Sequence, residues 1–219
     1  VKLEEIAAQL ARGELPPGAE LLKRSPVRSV ARVGAAVVKV LHRRPRKAGR
    51  EARALARARA LGVPVPELLA SGAGWVATRF VAARPATRAD FEHFLPAVRA
   101  MHERGMLHGD LHLGNILMQG AEPLFLDVQK ASFLPVLPGI LRQRELGYLA
   151  HSLGDPLPEA LAASRHWRTL RAQRHWRSRT RRCLVESSGF TAFEAGALRG
   201  FRRRDVAADA LARALADAP

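Results

Sequence analysis

His108-Gly109-Asp110-Leu111-His112-Leu113-Gly114-Asn115-Ile116-Leu117 is the stretch on which the reading of this chain turns. It follows a segment, Asp90 to Arg104, in which Phe91, Leu95, Val98 and Met101 or His102 recur at helical spacing. Asp90 is placed to cap that helix and Gly105 to end it. After it come two short apolar segments, Ile116–Met118 and Leu124–Val128, parted by Gln119-Gly120-Ala121-Glu122-Pro123 and expected to pair as a small hairpin. Asp110, Asn115 five residues on, and Asp127 twelve beyond that bring three oxygen donors to one tight loop. Hard cations such as Mg²⁺ take such oxygens and keep waters and substrate phosphates as their other ligands. A carboxylate not used by the metal is suited to orient and deprotonate a hydroxyl. The bland alternative is a solvated Asx-rich loop. The agreement of spacing, preceding helix and following hairpin weighs against it.

Working outward, Lys2–Arg12 has helical spacing and is stopped by Gly13 and Pro16-Pro17-Gly18. Between Glu20 and Leu41, Val27, Val30 and Val33, then Val37, Val38 and Val40, flank Gly34-Ala35 and predict a hairpin turning at Gly34. Val37-Val38-Lys39-Val40 puts a lysine among β-branched residues, where its charge needs a partner or a phosphate. Glu51, the first acid downstream, opens an Ala-rich helix expected over Gly49–Leu61. Trp75–Val81 reads as another strand. Beyond Gly139 the pattern is mostly helical, over Arg142–Leu153, Pro158–Thr180 and Val206–Leu215. Ser25–Gly34 and Ser187–Gly196 share a spacing from serine to glycine, the kind of chance likeness two short hairpins produce. Strands first and helices second make the fold class α+β.

On these residues the chain resembles the protein-kinase-like superfamily, whose H-x-D-x-x-x-x-N loop and following metal-binding Asp are matched here. The resemblance implies a compact two-lobed fold, with a β-rich N-lobe over 1–77 and a helical C-lobe over 78–219, together one kinase-like domain. It implies ATP and Mg²⁺ as cofactors. Asp110 would be the catalytic base, Asn115 and Asp127 the metal ligands, and Lys39 the contact to the α/β-phosphates, fixed by Glu51. His108 would brace the backbone near Asp127. Arg142-Gln143-Arg144-Glu145-Leu146-Gly147 looks like the start of the helix whose acid, here Glu145, hydrogen-bonds the catalytic loop.

Within the superfamily the chain most resembles the bacterial lipopolysaccharide kinases that phosphorylate Kdo or heptose. The likeness rests on Leu61-Gly62-Val63-Pro64-Val65-Pro66, the His108 stretch and Leu126-Asp127-Val128-Gln129-Lys130-Ala131. Aminoglycoside phosphotransferases and RIO-type kinases share H-G-D-x-x-x-x-N. Three departures from the superfamily stand out. No G-x-G-x-x-G precedes Lys39; Lys23-Arg24-Ser25-Pro26-Val27-Arg28 occupies that place, so cationic side chains would substitute for backbone N–H groups at the phosphates. Gly109 replaces the arginine of H-R-D, and Asp127-Val128-Gln129 replaces D-F-G.

Composition narrows the partner. Among 219 residues, 36 Lys and Arg against 20 Asp and Glu give a net charge of +16, while 47% hydrophobic residues argue against wholesale disorder. The single cysteine, Cys183, excludes an internal disulfide framework and a four-cysteine zinc site; beside Arg181 and Arg182 it is expected to pack rather than to serve redox chemistry. No apolar run is long enough to span a bilayer, and Val1-Lys2-Leu3-Glu4-Glu5 does not open as a signal peptide does, so the expected compartment is the cytoplasm. Arginine recurs every third residue from Arg165 to Arg177, each step about 60° short of a turn, so these side chains spiral round the helix. Such a helix is a solvated basic face, a contact to anionic lipid or a phosphorylated glycolipid with Trp167 and Trp176 as anchors, or a nucleic-acid contact. No nucleic-acid recognition motif accompanies the charge. The field disfavours a polycationic acceptor. The resulting expectation is a Mg-ATP-dependent kinase acting on a hydroxyl of an anionic glycolipid, peripheral to the inner face of the cytoplasmic membrane. A small bacterial Ser/Thr protein kinase, with a protein acceptor, and a non-catalytic pseudokinase or basic binding module are its rivals. Oligomeric state is open.

Overall fold

Leu3–Ala11 forms α1, with Glu4 and Glu5 in a first turn where negative charge suits the helix dipole. Ile6, Ala7 and Leu10 bury its apolar face against Ala31, Val38, Val40 and Ala77. Those partners belong to a five-stranded antiparallel sheet of β1 (Ala19–Ser25), β2 (Arg28–Val33), β3 (Ala36–Leu41), β4 (Leu68–Gly72) and β5 (Trp75–Arg79), ordered β1-β2-β3-β5-β4. The turn at Gly34 is where the sequence put it, at φ +57. β1 was not anticipated, because its residues are almost all exposed and carry no inside–outside alternation. Alternation along β3 sends Val38 and Val40 into the α1 core and turns Val37 and Lys39 to the other face.

α2 (Arg46–Ala60) covers that other face, beginning behind Pro45 and three residues before the expected Gly49. Ala48, Glu51, Ala52, Leu55 and Ala58 are its buried stripe. After β6 (Arg84–Pro85) the chain enters α3 (Phe91–Glu103). Asp90 does not cap it. The Asp90 carboxylate accepts from the Thr87 backbone N–H at 2.8 Å and is gripped by Arg84 at 2.6 and 2.7 Å, closing a 3-10 turn over Arg88–Asp90. β7 (Met106–Leu107), β8 (Ile116–Gln119), β9 (Glu122–Phe125) and β10 (Ser132–Phe133) follow. β6, β8 and β9 form one small sheet and β7 pairs with β10. α4 (Gly139–Leu153) lies beneath, and Phe94, Met101, Met106, Ile116, Phe125 and Leu149 fill the core between them. Burial of each such side chain stabilises the fold by roughly 1.5–3 kcal/mol.

The helix expected over Pro158–Thr180 is divided into a 3-10 turn, Glu159–Ser164, and α5 (Arg165–Cys183). Trp167 is half-buried and packs on Gly147 of α4, where a Cβ would come within 2.4 Å of its own. It is therefore spent on packing and not free as a lipid anchor. Trp176 is 72% exposed.

The structure, a computed structural model, describes residues 2–183, 190–195, 198–204, 206, 207 and 209. The chain divides into two compact units, Val1–Thr169 and Leu170–Pro219, and the lobe boundary expected near Ala77 falls inside the first. In the second unit β11 (Phe190–Ala195) and β12 (Leu198–Arg203) pair antiparallel, so a hairpin interrupts the helical run expected after Gly139. The helix expected over Val206–Leu215 lies largely outside the described residues. Among the described residues no helix is long and apolar enough to cross a membrane.

Candidate active site

The register of β3, with Lys39 opposite Val30 of β2 and Val76 of β5, places the lysine at the centre of the sheet. Lys39 is 9% exposed, and its Nζ donates to Glu51 Oε1 at 2.8 Å. The second Glu51 oxygen is buried without a hydrogen-bond partner. Burial pushes the Glu51 carboxyl up, against the opposing pull of Lys39. Lys39 Nζ also contacts Asp127 Oδ1, and Arg28 from β2 donates to Asp127 Oδ2 at 3.0 Å. Burial works to raise the Asp127 carboxyl as well, but the Lys39 and Arg28 charges outweigh it and hold the group at about 2. Asp127 has φ +57, the left-handed conformation, directly after β9 and Leu126.

The second half of the site is the loop from β7 to β8. His108 is fully buried, its ring edge-on to Phe125 at 6.3 Å between centroids. His108 Nε2 lies 2.7 Å from the Leu126 carbonyl, which can only accept, so this nitrogen carries the proton. Nδ1 is then free to accept the Asp110 N–H at 3.3 Å. The ring thus ties the Asp110 loop to the strand end that carries Asp127, and burial depresses its tendency to protonate. Gly109 has φ +79, and a Cβ there would meet the Lys130 carbonyl at 2.3 Å. No side chain fits, which explains glycine where the superfamily pattern has arginine.

Glu145 of α4 braces the same loop. It accepts the backbone N–H of His108 at 3.0 Å and of Gly109 at 2.6 Å, and pairs with His102 Nε2 at 2.8 Å. Asn115 closes a 3-10 turn, Leu113–Asn115, and its Nδ2 donates to the Asp110 carbonyl at 2.9 Å. The Asp110 carboxylate accepts from Lys130 Nζ at 2.7 Å.

Lys39, Glu51, Asn115 and Asp127 line one cavity of about 260 Å³, with Lys23 and Arg28 from the β1–β2 hairpin. Val30, Val37, Val76 and Leu126 supply its apolar wall. The lining thus combines charged and amide side chains with aliphatic ones. Asn115 and Asp127 fit a hard cation. Both line this cavity; the Asn115 nitrogen is used by Asp110, which leaves its oxygen, and the Asp127 carboxylate, kept ionised by Lys39 and Arg28, would exchange those contacts for the ion.

All seven residues singled out in the sequence thus lie in one connected network: Lys39, Glu51 and Asp127 through ion pairs, Asp110, Asn115, His108 and Glu145 through the loop. Two contacts are not legible in the sequence. Arg28 belongs to the cationic Lys23–Arg28 stretch expected at the phosphates, but nothing local marks it as the partner of Asp127. Lys130 follows Asp127 by three residues, and only the fold shows that it turns back to Asp110.

The RIO domain family model matches residues 37–132, which include Lys39, Glu51, Asp110, Asn115 and Asp127. No curated protein matches the sequence significantly. Solved structures do. An aminoglycoside-3'-phosphotransferase of type VIII superposes with a TM-score of 0.54 at 18% identity, over 81% of this chain and 93% of its own. The chain has a protein-kinase-like fold. A choline/ethanolamine kinase family protein from Mesorhizobium loti shares this kinase-like architecture at TM-score 0.53 and 18% identity, over 74% of each chain. The amicoumacin kinase hAmiN, solved with AMP-PNP, Ca²⁺ and Ami, gives 0.53 at 11% identity over 73% of each chain.

Proposed function

We propose that the protein is a phosphotransferase that moves the terminal phosphoryl group of Mg-ATP to a hydroxyl. The observation that carries this reading is the meeting of Lys39, Glu51 and Asp127, from β3, α2 and the end of β9, in one buried ion-paired cluster beside the Asp110 loop. Lys39 would hold the α/β-phosphates, with Glu51 keeping its ammonium in place. Asp110 would take the acceptor hydroxyl proton as the O–P bond forms, and Asn115 would hold Asp110 and contribute its oxygen to the metal. Asp127 and Asn115 would hold Mg²⁺, which when bound neutralises charge on the phosphate oxygens. His108 and Glu145 would act as positioning residues, fixing the loop so that Asp110 meets the hydroxyl at the right place. Positioning and electrostatics supply most of the rate enhancement in phosphoryl transfer.

The acceptor in this reading is anionic, a lipopolysaccharide core sugar such as Kdo or heptose or another anionic glycolipid at the inner face of the cytoplasmic membrane. Two things support it: the net charge of +16 and the sequence likeness to lipopolysaccharide kinases around Leu126–Ala131. A cationic acceptor would meet a repulsive field. The RIO domain match over 37–132 favours a second reading, a small Ser/Thr protein kinase with the same roles for the same residues. ATP turnover by the purified protein, with glycolipid and protein acceptors in parallel and with Asp110→Asn and Asp127→Ala as controls, separates the two. Turnover with neither acceptor, and no nucleotide binding, leaves only the non-catalytic binding module.

A further inference from the structure

A second cavity, of about 440 Å³, adjoins the first and shares Lys23 and Arg28 with it. Its remaining charged lining is Arg43, Arg44 and Lys47, and no acid lines it. Most cations of the first unit that make ion pairs make them with nearby acids, as Arg12 does with Glu14 and Arg79 with Glu67. Lys23, Arg43, Arg44 and Lys47 have no side-chain ion pair among the described residues, and Arg28 alone of the five is paired, to Asp127.

Their placement opposes local electrostatics. Arg43 and Arg44 precede α2 and Lys47 lies in its first turn, which holds no acid. A helix N-terminus carries about half a positive charge, so three cations there repel it and one another. The arrangement is fixed: the His42 N–H donates to the Val27 carbonyl at 3.0 Å, pinning the β1–β2 turn beside Arg43 and Arg44. Gln129, between Asp127 and Lys130 in the chain, also lines the cavity. Local rules broken together in this way mark a site whose ligand offsets the cost.

We propose that this cavity binds phosphate groups of a molecule other than the nucleotide, and that it seats the acceptor. Arg43 and Arg44 supply planar forks that match phosphate oxygens two at a time, and Lys47 adds a point charge. Lys23 and Arg28 line both cavities, so a phosphate-bearing acceptor held here sits next to the nucleotide cavity that Asp127 lines. The role as acceptor seat rests on the phosphotransferase reading; the phosphate site itself does not.

The test is pyrophosphate binding to the full chain, by calorimetry with Mg-AMP-PNP saturating. Arg43→Gln/Arg44→Gln is compared with Lys2→Gln/Arg99→Gln, which removes the same charge elsewhere. We expect the first pair to weaken binding about tenfold or more, since charge-assisted bonds to phosphate are lost, and the second to leave it near wild type. A parallel arm uses phosphatidylcholine vesicles containing phosphatidic acid. Selective loss of vesicle binding in the first pair supports the site with a lipid headgroup as its source, and selective loss of pyrophosphate alone supports it with a soluble phosphate. Equal effects of the two pairs, or none from either, overturn the proposal. Should wild type fail to bind AMP-PNP, the phosphotransferase reading falls, and the pyrophosphate comparison without nucleotide still decides the site.

Discussion

Lys130 donates to the Asp110 carboxylate at 2.7 Å, so that carboxylate carries its own cation from the segment just past Asp127. The pair is half exposed on the lysine side. Its contribution to folding is therefore within about 1 kcal/mol, and under the proposed phosphoryl transfer its charge would act in the transition state. Lys130→Met should lower kcat by about 10- to 100-fold with the ATP KM and the melting temperature nearly unchanged. Steady-state kinetics with a fixed acceptor measure this; an unaltered kcat would remove Lys130 from the mechanism.

Lys39 holds two carboxylates at once, and Glu51 is the more deeply buried of them. Lys39→Met strands Glu51, whereas Asp127 keeps Arg28, so the expected loss is about 3 kcal/mol on the scale of broken buried pairs. Because burial already favours the neutral form of Glu51, adding Glu51→Gln should restore part of that stability and none of the activity. Urea unfolding of the two single variants and the double variant reads the coupling energy. Strict additivity would contradict the pairing.

Glu145 is the acceptor for two loop N–H groups and the His102 ring, all buried. Each buried donor left without a partner costs about 1–3 kcal/mol. Glu145→Ala is expected to destabilise the chain by about 3 kcal/mol or more, and Glu145→Gln by less, since one side-chain oxygen remains. Both should depress kcat more than they raise the ATP KM.

Acid sensitivity has two windows with the same sign. His108 has its folded pKa pushed below the ordinary 6.5, so below 6.5 the unfolded chain binds the extra proton and stability declines as pH falls. Asp127 is depressed from 3.8 to about 2, so its contribution is intact above 3.8 and is lost as pH falls through about 2. From pH 7 to pH 4 His108 lowers the unfolding free energy while the raised Glu51 carboxyl works the other way, so the change with pH should shift toward stabilisation at low pH in His108→Gln. An equal slope in that variant would show that another group is responsible.

How much of this the sequence disclosed follows from the range of the interactions. Lys39 is legible because β-branched neighbours force a strand, where its charge needs a partner. Asp110 and Asn115 share one loop and are legible from their spacing, whereas His108 is assigned by the superfamily resemblance. Asp90 was misread because an acid before an apolar periodic run looks like a cap, whereas its oxygens are taken by Arg84 and Thr87. β1 escaped notice for want of a buried face. Arg28 and Lys130 required tertiary knowledge: each pairs with a carboxylate across the fold, 99 and 20 residues away in sequence. In a chain with 36 basic residues no local feature marks the two that matter here.

The central claim is that the Lys39–Glu51–Asp127 cluster serves phosphoryl transfer. Its most direct test is transfer of the γ-phosphate from labelled ATP in the presence of Mg²⁺ to a phosphate-bearing glycolipid, by wild type and by Asp127→Ala. The account predicts label on the acceptor hydroxyl with wild type and a loss of at least about a thousandfold in the variant. Equal transfer by the two proteins, or none by wild type with either glycolipid or protein acceptors, would contradict it.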